Sequence, residues 1–147
     1  SSDLNEVIRQ AVALYEDRLD GATVTLELDQ NAPPAMLDTE QIKRVFVNLI
    51  DNALAAVATS DQKVITLATR HDPVTSLLVA EVSDSGQGIA SEDFRRLFQP
   101  YFSRRDSGTG LGLAIVQRIV LEHGGRIRAE RNQPQGARFV IEIPITS

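Results

Sequence analysis

Ile42, Val45, Phe46, Leu49, Ile50 and Ala53 recur at the 3.6-residue period of an α-helix. A helix with one continuous apolar stripe needs a surface to cover it, so this face is expected to lie on a sheet. Asp38 is placed to cap that helix, with Gln41 three residues on. Strand candidates flank it on both sides. Residues 22–29 (ATVTLELD) alternate with period two and predict a strand with one buried face, followed by a turn at 31–34 and a short extended piece at 35–37. Residues 63–69 and 77–83, rich in Val, Ile and Leu around HDPVTS, predict a hairpin. Residues 126–131 and 137–143 predict a second strand pair, joined by a turn at 132–136. Two more helices are expected. One spans 4–19, capped by Asp3 and ended by Gly21; the other spans 111–123 and is stopped by Gly124 and Gly125. The order α-β-α-β-β-α-β-β predicts a two-layer α/β sandwich with the helices on one sheet face.

The 147 residues, 42% of them hydrophobic, are enough for one globular domain spanning 1–147, with little left for a second core. A net charge of -5 argues against a nucleic-acid surface, which needs clustered Lys and Arg; Arg104 and Arg105 are too few to supply one. The chain has no cysteine, so it has neither a disulfide framework nor a thiolate metal site, which is compatible with a reducing cytosol. The apolar runs fall far short of the ~18 residues that span a bilayer, and SSDLNEV has no signal-peptide pattern. The expectation is a cytoplasmic domain without direct membrane contact, whose parent chain is open to anchorage in the inner membrane.

Three motifs combine into one nucleotide site. In GTGLGL, residues 108–113, glycines at alternate positions let backbone N–H groups approach a polyphosphate, and the helix that follows turns its N-terminus toward the anion. Asn48 and Asn52, four apart on the long helix, share one line at the edge of its apolar stripe, looking sideways into a cleft. An amide oxygen suits Mg²⁺ and an amide N–H₂ donates to phosphate, although two isolated asparagines also read as solvated or capping residues. Asp84 ends the strand LLVAEVS before Gly86 and Gly88. Its carboxylate can accept from an exocyclic amine such as adenine N6; D-S-G alone also reads as a plain turn. The loop-rich stretch 84–109, with one short helical piece near 92–98, is long enough to predict a functional lid.

NLIDNA (48–53), DSGQGI (84–89), FRRLFQPYF (94–102) and GTGLGL (108–113) resemble the N, G1, F and G2 boxes of the GHKL ATPase/kinase superfamily, and the whole chain is similar to the catalytic, ATP-binding domain of sensor histidine kinases. NALAAV and PYFSRRDSGTGLGLAIV are similar to the nitrogen-regulation type of sensor kinase. The resemblance implies a Bergerat-type sandwich, a mixed sheet covered on one face by three helices, with a mobile ATP lid at 99–109. It implies ATP and Mg²⁺ as cofactors, with Asn48 as metal ligand and Asn52 on the phosphates. It also implies Asp84 on the adenine amine, Gly86, Gly88 and Ile89 along the base, and Gly108, Thr109, Gly110, Leu111, Gly112 and Leu113 around the triphosphate. Arg105 stands where related kinases often carry a lid lysine, so that it or Arg104 is expected at the γ-phosphate, with Asn48 and Arg105 as the catalytic pair. Tyr101 and Phe102 are expected to pack as core anchors near the lid.

The implied reaction is transfer of the γ-phosphate to a histidine on a separate dimerisation domain of the same kinase, and thence to a response-regulator receiver. An isolated catalytic domain is expected to be monomeric and its parent homodimeric. Neither His71, before Asp-Pro, nor His123, before Gly-Gly at a helix C-terminus, reads as the acceptor. Relatives that hydrolyse ATP as clamps carry a glutamate where this chain has Asn48; an amide cannot take a proton, which favours transfer to an acceptor that brings its own base. A hydrolytic ATPase clamp and a degenerate nucleotide-binding module are the alternatives. The second is encouraged by Ala55 and Ala56, where sensor kinases often have a basic residue and an aromatic or His, and by Ala137 in place of a box threonine.

Overall fold

The computed structural model describes residues 1–100, 102 and 112–145. Its elements follow in the order α1 (Leu4–Ala13), β1 (Thr23–Glu27), α2 (Thr39–Val57), β2 (Val64–Asp72), β3 (Leu77–Asp84), a 3-10 turn at Ser91–Asp93, α3 (Gly112–Glu122), β4 (Arg126–Arg131) and β5 (Ala137–Pro144). The strands form one five-stranded sheet in the order β1-β2-β3-β5-β4, with β1 parallel to β2 and the other pairs antiparallel. This is the mixed sheet, covered by three helices on one face, that the sequence predicts.

The helix α2 packs between α1 and α3 and lies over β2 and β3. The Asp38 carboxylate accepts from the Gln41 N–H at 3.1 Å, fixing where α2 begins. All six residues of its stripe are buried, with Phe46, Ile42, Leu49 and Ile50 among the largest fully enclosed side chains. They meet Ile65 and Leu67 of β2, Leu78, Ala80 and Val82 of β3, and Phe139, Ile141 and Ile143 of β5 in one core. Period-two alternation sends the intervening residues to the outer face. There Arg138 lies 3.7 Å from Glu81 and 3.4 Å from Glu130, and Arg128 lies 3.4 Å from both Glu130 and Glu142.

Three expectations are corrected. Helix α1 stops at Ala13 rather than continuing to residue 19, because the chain tightens into shorter-range bonds (Tyr15 N–H to the Val12 carbonyl at 2.9 Å, Arg18 N–H to the Tyr15 carbonyl at 3.0 Å). Tyr15 turns inward, and its hydroxyl donates to Asp51 Oδ1 at 2.6 Å with the Val47 carbonyl 3.1 Å away. Strand β1 does not bury one face: Val24 is half-buried but Leu26 stays exposed, because β1 is the sheet's edge. The piece expected to be helical at 92–98 is a single 3-10 turn, after which Leu97 is buried and Phe98 packs edge-on against Phe139 with centroids 6.3 Å apart.

Two polar ties hold the layers in register. The Thr69 hydroxyl donates to Asn5 Oδ1 at 2.8 Å and accepts from the Asp29 N–H at 2.9 Å, while Asn5 Nδ2 donates to the Asp29 carbonyl at 2.8 Å. This closed, buried ring joins α1, the end of β1 and β2, and leaves no donor of the three stranded. His123 uses both ring nitrogens. Its Nδ1 meets the Ile119 carbonyl at 2.8 Å, and its Nε2 accepts from the Asp38 N–H at 3.1 Å, clamping the end of α3 to the start of α2.

Candidate functional site

Asn48 and Asn52 lie at the side of the sheet-packing stripe of α2, and both Nδ2 atoms are buried without a hydrogen-bond partner. An unsatisfied buried donor costs about 1–3 kcal/mol, so two side by side on one helix mark a place prepared for acceptors from outside the fold. Gly112, the first residue of α3, lies over Asn48: a Cβ there would stand 4.0 Å from Asn48 Cγ and Oδ1. The N-terminus of α3, whose first N–H groups have no partner within the helix, is therefore next to the Asn48 amide. Among the described residues, an acceptor-rich anion fits these donors, and the amide oxygens beside it suit a hard cation held jointly with that anion.

Asp84 ends β3 and is 2% exposed. Its Oδ1 accepts from the Gly86 N–H at 2.9 Å and the Ala137 N–H at 3.3 Å. The DSG turn then passes under the end of α2. A Cβ on Gly86 would lie 2.3 Å from the Ala56 carbonyl oxygen, so glycine is the residue this approach accepts. Ala56, a departure from the sensor-kinase pattern, is fully buried as the floor of that turn. Gly136 approaches from the other side, at φ +110°, and a Cβ there would fall 1.8 Å from the Asp84 carbonyl oxygen. Ala137, another departure, is buried, and its backbone rather than a hydroxyl meets Asp84.

The structure thus gathers Asn48, Asn52, Asp84, Gly86, Gly88 and Gly112 along the C-terminal half of α2. Ile89 belongs to the core beneath, and Leu113 packs against it. Tyr101, Arg104, Arg105, Gly108, Thr109, Gly110 and Leu111 lie outside the described residues. Phe102 packs on the core, with the Arg96 guanidinium 4.9 Å over its ring. His71 pairs with Leu78 and is six residues along β2 from the Ile65–Asp84 pair, about 20 Å from the site.

Asn132 and Gln135 escape sequence reasoning. Asn132 Nδ2 donates to the Asp84 carbonyl at 2.9 Å, and Gln135 Nε2 donates to the Gly86 carbonyl at 2.9 Å. A turn string such as NQPQG signals only a turn; its partners are some 50 residues upstream.

Comparison with known proteins agrees with the fold. Residues 37–147 match the family described as histidine kinase-, DNA gyrase B-, and HSP90-like ATPase. The sensor histidine kinase ZraS of Klebsiella oxytoca is 40% identical over 149 residues, which cover 99% of this chain and 31% of that protein. The chain therefore spans about a third of the length of the curated relatives it matches. Among solved structures, a nucleotide-free catalytic domain of the histidine kinase ThkA superposes with a TM-score of 0.87 at 33% identity, covering 99% of this chain and 97% of that one. ThkA in complex with the response regulator TrrA superposes with a TM-score of 0.81 at 31% identity, covering 98% of this chain and 41% of that one.

Proposed function

We propose that this chain, which belongs to the histidine kinase-, DNA gyrase B-, and HSP90-like ATPase family, binds Mg·ATP and donates its γ-phosphate to a histidine on a separate dimerisation domain, from which a response-regulator receiver takes it. The observation that carries the reading is the pair of buried, unpartnered Nδ2 atoms of Asn48 and Asn52, with Gly112 over Asn48. In this reading Asn48 Oδ1 ligates Mg²⁺, Asn52 donates to the phosphates, and Asp84 accepts from the adenine amine. Gly86, Gly88 and Ile89 line the base, and residues 108–113 wrap the triphosphate, with Arg104 or Arg105 at the γ-phosphate. Magnesium neutralises charge on the phosphates; the chain orients them. Asn48 has no basic atom with which to activate water, which supports transfer to an acceptor over hydrolysis. The partial span of the curated relatives, and the ThkA–TrrA complex, support a partner domain and a regulator as the remaining participants.

A phosphorus NMR titration of ATP with this chain and Mg²⁺, followed over hours, tests this. Mg-dependent broadening of the phosphate signals with almost no hydrolysis is expected. Steady phosphate release would favour a hydrolytic clamp, and absence of binding would overturn the reading.

A further inference from the structure

We propose that Asn132, oriented by Arg138, is a positioning residue that holds Asp84 in register with the adenine amine and so sets the purine selectivity of the site. The proposal rests on the base-reading role given to Asp84 above. Asp84 is held by backbone donors on two segments, the Gly86 N–H and the Ala137 N–H. Gly86 lies two residues beyond the end of β3, outside the sheet, whereas Ala137 is the first residue of β5 and pairs with Arg131 across the 132–136 turn.

Asn132 and Gln135 reach across from that turn and pin the DSG segment. Asn132 Nδ2 donates to the Asp84 carbonyl at 2.9 Å, while Gln135 Nε2 donates to the carbonyls of Gly86 at 2.9 Å and Ser85 at 3.4 Å. The Asn132 amide has one productive orientation, because only its N–H₂ end can meet a carbonyl. Arg138 selects it: its Nη2 donates to Asn132 Oδ1 at 3.2 Å, which leaves Nδ2 facing Asp84. Arg138 is itself steadied between Glu81 at 3.7 Å and its cross-strand partner Glu130 at 3.4 Å. The relay thus runs from charged groups on the outer face of the sheet, through one amide, to the backbone of a carboxylate on the inner face.

Asn132→Asp keeps the shape and the Arg138 contact but removes the donor; Asn132→Ala removes both. The test measures ATP and inosine triphosphate binding, by displacement of a fluorescent ribose-modified ATP, in the unaltered chain, both Asn132 variants, Asp84→Asn and Asp84→Asn/Asn132→Asp. Inosine triphosphate carries an oxo group where ATP carries the amine, so loss of triphosphate affinity in general cancels from the ratio. Each Asn132 variant is expected to lose several-fold, up to about tenfold, in ATP over inosine triphosphate preference, the effect of one part-buried hydrogen bond. The double variant should discriminate no worse than Asp84→Asn, because Asn132 acts through Asp84. Arg138→Gln, at the outer end of the relay, should give a smaller loss of the same sign and serves if the Asn132 variants do not fold. An unchanged ratio in the folded variants, with Asp84→Asn still losing discrimination, overturns the positioning role alone. An unchanged ratio in Asp84→Asn overturns it together with the base-reading role. Further loss in the double variant would mean that Asn132 acts independently of Asp84, which also overturns it.

Discussion

Ala56 and Gly86 meet with no room for another atom between them: a Cβ on Gly86 would stand 3.0 Å from the Ala56 Cβ and 2.3 Å from its carbonyl oxygen. The contact joins the last turn of α2 to the segment that carries Asp84, so the two halves of the candidate site are set by one backbone-to-backbone approach.

Gly86→Ala is therefore expected to separate α2 from the DSG turn. The added methyl meets backbone rather than a flexible side chain, and overpacking of that kind costs about 1–3 kcal/mol. Thermal unfolding should show the loss, and ATP affinity should fall in parallel. A variant that binds ATP with unaltered affinity would show that the approach is not needed for the site.

Asn52→Ala should separate stability from binding. Removing a buried donor that has no partner relieves a penalty of about 1–3 kcal/mol, and alanine favours the helix. The nucleotide-free variant should melt no lower than the parent, and the rise in melting temperature on adding Mg·ATP should disappear. A clear drop in the melting temperature of the free protein would show that Nδ2 already has a structural role.

Tyr15 gives the fold a sensitivity to alkali. Burial, and then the hydrogen bond to Asp51, push the phenol well above its ordinary value of 10.0. The unfolded chain ionises first as pH rises, so the stabilisation is fully present below about pH 10 and is lost as pH climbs from there toward the folded value. Chemical denaturation at pH 8 and at pH 10.5 should show a steeper loss in the parent than in Tyr15→Phe. At pH 8 the variant should be less stable by about 1–2 kcal/mol, because Asp51 loses its donor. Equal pH slopes in the two proteins would count against the shift.

His123→Ala should loosen the joint between α3 and α2 without touching the nucleotide. Because the Asp38 N–H can only donate, Nε2 must carry a lone pair and Nδ1 the proton that meets the Ile119 carbonyl. Losing both bonds is expected to cost about 1–2 kcal/mol in denaturant unfolding while ATP affinity holds. A large loss of affinity would place His123 in the binding machinery instead.

What the sequence made legible tracks how local the cause was. The period of α2 and its Asp38 cap are set within a few residues, and both stand where the pattern puts them. The extent of α1 and the exposure of β1 depend on distant partners. Tyr15 leaves the helical path to reach Asp51, 36 residues on, and Leu26 is exposed because β1 is the sheet's edge, which nothing in its own neighbourhood signals. The motifs bring Asn48, Asp84 and Gly112 to one site, but the support from Asn132 and Gln135 was hidden, since a polar turn looks the same whether its amides face water or a carbonyl 48 residues away.

Because β1 and β2 run parallel, the chain must travel back along the sheet between them, and α2 is that return path. The helix bearing both asparagines is thus also the tether of the sheet's edge. A circular permutant reopened at the exposed β2–β3 tip near Val74 leaves this tether whole, whereas one reopened between residues 58 and 63 severs it. The second cut would remove the covalent link between the helix that carries the asparagines and the strands that lead to Asp84, leaving sheet pairing and core packing alone to hold the cleft together.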